Sequence, residues 1–296
     1  MILSVVIITH NEEANIGCTL ASVQPLVADG KGEVIVVDSG STDRTVEIAK
    51  SFGAKVFIEE WKGYAAQKNS AIDRAEGDWI LSLDADEEVE PALAAEINEI
   101  FPMNRPSREE LLAGAKTPGP RLEGQNLRDA VKIWKENGSK GVMIAVMGYR
   151  IPRKNEFLGL WLKHGGFWPD PKMRLFRKGI ARFEDRAVHE DAHLSEGMAM
   201  HLKGALVHHS YPTLADYIDH MNRYSSLGAE MVVTRQHGKV RFSIINIVLR
   251  PLATFLYNYF LRLGFVDGRE GLLLHLYHAV YVSWKYAKAW ELAKSR

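Results

Sequence analysis

The sequence predicts an α/β protein built on an open, doubly wound, mostly parallel sheet flanked by helices, with a helical C-terminal extension. Up to about Phe101, short apolar β-branched runs alternate with segments of helical spacing, the pattern of βαβ units. Those runs are apolar on successive residues, as strands covered on both faces must be. From Tyr211 onward the pattern turns helical and rich in aromatics.

The predicted strands are Leu3 to Ile8, Val34 to Val37, Lys55 to Ile58 and Trp79 to Leu83. Between the first two, Ile16, Leu20 and Val23 recur at helical spacing, and Val46 with Ala49 marks the next helix. Gly53 and Gly77 follow predicted helices, where left-handed caps are expected. From Pro102 to about Gly141 four prolines punctuate a polar stretch that reads as an insertion, with a short helix expected over Leu127 to Trp134. Order resumes at Gly148, and Lys172 to Arg177 alternates as a strand does.

Composition narrows the function classes. The chain has 296 residues, 46% hydrophobic, enough for a substantial core. Lys plus Arg and Asp plus Glu both number 37, so no global field favours nucleic acid. From Arg235 to Arg296, however, ten Lys/Arg face three Asp/Glu. The single Cys18 sits in a predicted helix and excludes a disulfide framework or a thiolate zinc site, which fits a reducing cytoplasm. The start, Met1 to Ile8, lacks a basic n-region and reads as a strand, so no export signal is expected.

Chemistry gathers where strands end. The first runs into Thr9-His10-Asn11-Glu12-Glu13, the second into Asp38-Ser39-Gly40-Ser41-Thr42-Asp43, the fourth into Asp84-Ala85-Asp86. In open α/β sheets ligands bind outside the carboxyl ends of the strands, which puts these clusters on the binding edge. Asp38 suits a nucleobase imide or a ribose hydroxyl, and two carboxylates one residue apart suit a Mg²⁺ or Mn²⁺ ion held against a diphosphate. Each cluster also has a plain alternative. Asp38 to Asp43 serves equally as a turn and helix cap. Asp84 to Asp86 does not continue as a calcium loop, since Val89 and Ala95 stand where glycine and glutamate are needed. No Gly-x-Gly-x-x-Gly or P-loop follows the first strand.

These segments resemble the family 2 glycosyltransferases of GT-A fold: Thr9-x-Asn11-Glu12, Val37-Asp38-Ser39-Gly40-Ser41-x-Asp43-x-Thr45, Gly63-Tyr64-Ala65-Ala66-Gln67-Lys68-Asn69 and Leu83-Asp84-Ala85-Asp86-Glu87. The likeness continues through Arg150 to Glu190 and at Gly264-Phe265-Val266-Asp267-Gly268-Arg269-Glu270-Gly271, in the manner of the lipopolysaccharide core β-1,4-glucosyltransferases. It implies a nucleotide-sugar-binding half over residues 1–101, an insertion over 102–141, an acceptor-binding and catalytic-base half over 142–235, and a helical extension over 236–296. The resemblance places Thr9, Asn11, Glu12, Asp38 and Ser41 around a UDP-sugar and Lys68 beside its diphosphate. It makes Asp84 a ribose or metal contact and Asp86 the main ligand of a Mg or Mn ion. Transfer would proceed with inversion, which needs one general base. Glu190, in Val188-His189-Glu190, is the first candidate and Asp185 the second, while Glu184 reads as a solvated turn residue.

Three other features complete the reading. His164-Gly165-Gly166-Phe167-Trp168-Pro169-Asp170 is an irregular loop suited to an acceptor sugar or to packing around Trp168. His201, His208 and His209 read as ordinary histidines, since no carboxylate spacing completes a metal site with them. The segments Phe242 to Leu263 and Leu272 to Leu292 are broken by charge and proline, so a peripheral membrane contact or a packed helix pair fits better than a span. The expected acceptor is a lipid-linked or lipopolysaccharide core glycan at the cytoplasmic face of the inner membrane. A nucleotidyltransferase on a related sheet and a non-catalytic membrane-bound glycan-binding protein are the competing classes; the first wants a glycine-rich, basic loop that Thr9 to Glu13 lacks.

Overall fold

The computed structural model describes residues 2–103, 146–184 and 191–294. The candidate bases Asp185 and Glu190, and the helix expected over Leu127 to Trp134, lie outside them. The chain divides into two compact units, one of Met1–Arg153, Pro171–Asp185 and Glu190–His208, the other of Lys154–Asp170, Arg186–His189 and His209–Arg296.

The first unit holds a seven-stranded sheet. Its N-terminal part runs β1 (Leu3–Thr9), α1 (Ile16–Val27), β2 (Gly32–Asp38), α2 (Thr45–Ser51), β3 (Lys55–Ile58), α3 (Tyr64–Arg74), β4 (Trp79–Asp84), β5 (Glu87–Val89) and α4 (Pro91–Met103). The predicted strands all form, and α4 carries past the expected break at Pro102 to Met103. Later come β6 (Val146–Ile151), β7 (Arg153–Phe157), β8 (Leu160–Trp161), β9 (Lys172–Arg177), β10 (Ala181–Phe183), β11 (Ala192–Leu194), β12 (Met198–His201) and β13 (Leu206–Tyr211). The large sheet is ordered β12-β6-β9-β4-β1-β2-β3. Its β4-β1-β2-β3 half is parallel, while β9 runs antiparallel to both β4 and β6.

Why β1, β2 and β4 carry apolar residues on both faces is visible in the two cores. Val5, Ile7, Val34, Val36, Leu81 and Leu83 face one core, closed by Ile16, Leu20 and Val23 of α1 and Leu93 and Ile97 of α4. Their chain neighbours Val6, Ile8, Ile35, Val37 and Ile80 face the other, closed by Ala65, Ala71 and Ile72 of α3. A strand of period two between two helical layers has no solvent side, so the sequence shows no alternation.

The glycine expectations divide. Gly53 takes the left-handed cap after α2, with φ +77. Gly77 does not: α3 closes through the extended Ala75, and Gly77 is needed for space instead. A Cβ there would lie 2.5 Å from the Ile2 carbonyl oxygen and 2.7 Å from Ser4 Oγ.

In the second unit β7 pairs antiparallel with β8 through Glu156 and Phe157. A long helix, Leu214–Arg235, starts at Thr213, whose hydroxyl accepts from Asp216 N at 3.2 Å while Asp216 caps Thr213 in return. A second, Gly268–Lys294, packs along it; Gly228 lies so near Lys285 that a Cβ would meet Cδ at 2.8 Å. Between them runs Ile245–Leu261, in which α-helical Arg250–Leu256 is flanked by wider π-turns. Pro251 was expected to interrupt this run, but it sits in the first turn of the α-helical part, where its missing N–H is tolerated. No helix among the described residues is long and apolar enough to cross a membrane.

Candidate active site

The sheet order puts a topological switch between β1 and β4. From β1 the chain winds outward through β2 and β3, then returns by α3 to β4 on the other side of β1. The loops after β1 and β4 therefore part in opposite directions and leave a crevice at their strand ends, the preferred ligand position in such sheets.

The loop after β1 is fastened to the loop after β2. Asn11, held at φ +54, donates its backbone N–H to Ser41 Oγ at 2.8 Å and accepts from Thr42 N on Oδ1 at 2.8 Å. Glu12 N donates to Thr45 Oγ1, and Glu13 N to Asp43 Oδ2. Asp38 is fully buried and organises its own turn: Oδ1 accepts from Gly40 N at 2.9 Å and Ser41 N at 2.8 Å, while the Ser41 hydroxyl donates to Oδ2. Asp43 Oδ1 accepts from Thr45 N at 3.0 Å, at the start of α2. The turn-and-cap geometry open to this cluster is thus present, and it rigidifies one wall of the crevice. Thr9, also buried, carries a hydroxyl oxygen with no hydrogen-bond partner.

The opposite wall is a charged cluster around Asp84-Ala85-Asp86. Asp84 Oδ1 pairs with Lys68 Nζ of α3 at 2.8 Å, and its Oδ2 pairs with Arg174 Nη2 of β9 at 2.6 Å. Arg174 also reaches Glu87 Oε1 at 2.6 Å, an oxygen shared with Arg153 Nη1 at 3.2 Å. Glu87 Oε2 in turn accepts from Asp84 N at 3.0 Å. Asp86 faces His208, whose Nε2 lies 3.3 Å from Oδ2. The Ala85 carbonyl is fixed from behind by the Thr19 hydroxyl at 2.7 Å.

Burial pushes the Asp84 carboxyl up, but Arg174, Lys68 and His208 outweigh it and hold it well below the usual carboxylate range. Asp86 behaves alike: burial raises it, His208 lowers it, and the net direction is down. For Arg174 burial works against the charge, yet Asp84 and Glu87 raise it further above its ordinary value. Glu12 goes the other way. Burial, joined by the negative charges of Asp86, Asp43 and Asp84, pushes its carboxyl up despite a hydrogen bond from Asn15. The repulsion that Glu12 feels from Asp84 and Asp86 shows that the two walls face each other closely enough to sense one another's charge.

The structure brings Glu12, Lys68, Asp84 and Asp86 to this crevice and groups Asn11, Asp38 and Ser41 beside it. Four members of the network had no assigned role in the sequence: Arg174, Glu87, Arg153 and His208. The histidine had been set aside for want of a carboxylate at a suitable spacing; its partner comes through the antiparallel pairing of β13 with β5, which sets His208 opposite Glu87. No local pattern singled out Arg174 or Glu87, since Arg174 shares β9 with Lys172 and Arg177 and Glu87 shares β5 with Glu88; burial with a partner separates them in the structure.

A Mg or Mn ion can be tested against this donor set. Both side chains are about one-quarter exposed, but the two Asp84 oxygens are engaged by Lys68 and Arg174, whereas Asp86 lies next to an imidazole nitrogen through one oxygen. No group of three or more metal-ligating side chains converges among the described residues. One carboxylate and one imidazole, completed by diphosphate oxygens and water, is a fitting set for a cation that binds with its substrate.

An α/β enzyme with a ligand crevice at the switch point is what this fold and site define. The family model for glycosyl transferase family 2 matches residues 4–100. An uncharacterized glycosyltransferase of Rickettsia typhi is 31% identical over 99% of this chain and 89% of its own. The lipopolysaccharide core biosynthesis glycosyltransferase LpsC of Rhizobium meliloti is 26% identical over 98% of this chain and 92% of its own. Among solved structures, glucosyl-3-phosphoglycerate synthase from Mycobacterium tuberculosis, in complex with Mn²⁺, UDP and glucosyl-3-phosphoglycerate, is 33% identical, with a TM-score of 0.27. That match covers 29% of this chain and only 33% of the synthase. The chain belongs to glycosyltransferase family 2, and it is a glycosyltransferase.

Proposed function

We propose that this chain is an inverting hexosyltransferase that moves glucose from UDP-glucose to a lipopolysaccharide core or lipid-linked glycan at the cytoplasmic face of the inner membrane. The observation that carries the reading is the Lys68–Asp84–Arg174–Glu87 network with Asp86 and His208 beside it, set at the switch point. Similarity to LpsC along nearly the whole chain supports the core-glycan acceptor.

Asp86, with His208, would hold a divalent cation, whose chemistry when bound would be to offset negative charge on the UDP leaving group. Lys68 and Arg174 fix Asp84 so that the backbone of the Asp84–Asp86 turn is preorganised. The fastened loops bearing Asn11, Ser41 and Asp38 frame the nucleoside, with Thr9 Oγ1 as a further polar atom on that side. Glu190 takes the acceptor hydroxyl proton, with Asp185 as the second candidate. Gly165, Gly166 and Asp170 hold positive φ in the loop expected to meet the acceptor, and Trp168 packs edge-on against Trp161 there. Asp267 clamps the loop: its Oδ2 accepts from Lys163 N and His164 N, and Oδ1 pairs with His164 Nδ1 at 2.7 Å.

The test is release of UDP from UDP-glucose in the presence of Mn²⁺ or Mg²⁺. Asp86→Ala is expected to lower turnover by roughly 10²–10³-fold while the fold persists, the scale for losing a preorganised electrostatic group. Full activity in that variant would remove the metal role assigned to Asp86. Glu190→Gln is expected to abolish transfer with UDP-glucose binding retained; if Asp185→Asn does so instead, the base assignment passes to Asp185.

A further inference from the structure

The stretch from Phe242 to Val266 exposes its large apolar residues. Thirteen of them are exposed, against eight over the rest of the described chain, with Leu261 reaching 75% and Ile245 64%. Ile245, Val248, Leu249, Leu252 and Leu256 recur at three- and four-residue steps and lie along one side of the run, continued by Phe260 and Leu261. The other side is occupied within the same unit. The Ser283 hydroxyl donates to the Ile247 carbonyl at 2.8 Å, Arg250 meets the Tyr286 hydroxyl, and Pro251 is buried. The exposed face is thus the outer side of a helical run already anchored from behind.

Charge says what covers it. Between Arg235 and Val266 there are five Lys/Arg and no Asp or Glu. Lys239, Arg241 and Arg262 are exposed, before and after the apolar run in the chain. A face made for a second protein copy carries mixed charge at its rim so that the copies do not repel. One that is apolar in the middle and solely cationic around it matches the acyl and headgroup layers of an anionic bilayer. The run is too interrupted to span a bilayer, so it would lie in the plane of the surface.

We infer that the outer face of Phe242–Val266 is a docking surface for an anionic lipid bilayer, with the apolar side chains in the acyl boundary and the cations at the phosphates. The inference does not depend on the assigned transfer reaction, because its readout is binding to lipid alone.

The experiment is co-sedimentation of the full chain with vesicles of phosphatidylcholine alone and of phosphatidylcholine mixed with phosphatidylglycerol. The chain is expected to pellet with the anionic vesicles, less with the neutral ones, and less as salt rises. Val248→Glu, Leu252→Glu and Leu256→Glu combined should lower binding by at least tenfold, with far-ultraviolet circular dichroism and Tm unchanged because all three sites are exposed. Lys239→Gln with Arg241→Gln should lower binding to anionic vesicles by roughly tenfold and leave neutral vesicles unaffected. The inference is overturned if the wild type stays in the supernatant with anionic vesicles at low salt, or if the triple variant pellets as well as wild type. It is equally overturned if sedimentation velocity shows a dimer that the triple variant breaks, since the face would then belong to a second copy.

Discussion

The charged crevice of the first unit and the Phe242–Val266 face of the second treat the same problem in opposite ways. In the crevice, charge is buried and matched: Asp84, Glu87, Lys68 and Arg174 are each within ion-pair distance of an opposite charge. On the outer face, apolar groups are exposed and the charges are all of one sign. Buried, paired charge is expensive to desolvate and adds little stability, so its presence marks a place where geometry matters more than stability. Exposed apolar area on this scale also costs solubility, and it marks a place where another phase is met.

The sharpest way to break the comparison is to unmatch the crevice. Arg174→Met takes away the cation that Asp84 and Glu87 share and leaves each with one partner, Lys68 and Arg153, and urea unfolding is expected to show a loss of about 3 kcal/mol. If stability barely moves, the network is a loose surface arrangement. Losing His208 acts more narrowly: His208→Ala is expected to weaken Mn²⁺-dependent UDP binding about 10–100-fold, seen by calorimetry, with thermal stability near wild type. An equal loss of UDP affinity without metal would place His208 on the nucleotide instead. Gly77→Ala lies before β4, at the end of that strand opposite Asp84, and forces a Cβ toward the Ile2 carbonyl, so a stability loss of about 1–3 kcal/mol with unchanged metal response is expected.

The smallest expected effect belongs to the second unit. Burial, with the nearby charges of His275 and Lys285, lowers the His278 imidazole to about 4. Its folded value lies below the ordinary one near 6.5, so the unfolded chain binds the proton more readily. The contribution to stability is complete above about pH 6.5 and is lost as pH falls toward 4. His278→Phe should flatten that part of a Tm-versus-pH curve, where the wild type falls by roughly 5 °C. A profile unchanged by the substitution would assign the acid sensitivity elsewhere, His275 being the next buried imidazole.

Much of the first unit was legible because its signals are local. β-branched runs fall where strands do and the polar clusters come directly after them, whereas which of those strand ends flank the switch point came from the sheet order. The Gly264–Gly271 segment was legible as a pattern without its reason. In the structure a Cβ on Gly264 would meet the His275 ring at 2.3 Å and one on Gly271 the Gly264 carbonyl at 2.2 Å, so the two glycines let the turn close against buried Asp267 and His275. Gly77 was misread, since spacing after a helix cannot tell a left-handed cap from a position needed for close approach.

By itself, then, the sequence determined the α/β class, the strand ends that carry polar groups, and the excess of cations near the C-terminus, all of which depend on residues close together in the chain. Only the tertiary structure decided the partners. Arg174 comes ninety residues after Asp84, and His208 reaches Asp86 through an antiparallel register that no local pattern encodes. Which side of the Ile245–Leu261 run stays uncovered was likewise settled by packing, because periodicity shows that a helix has an apolar face and is silent on what that face meets.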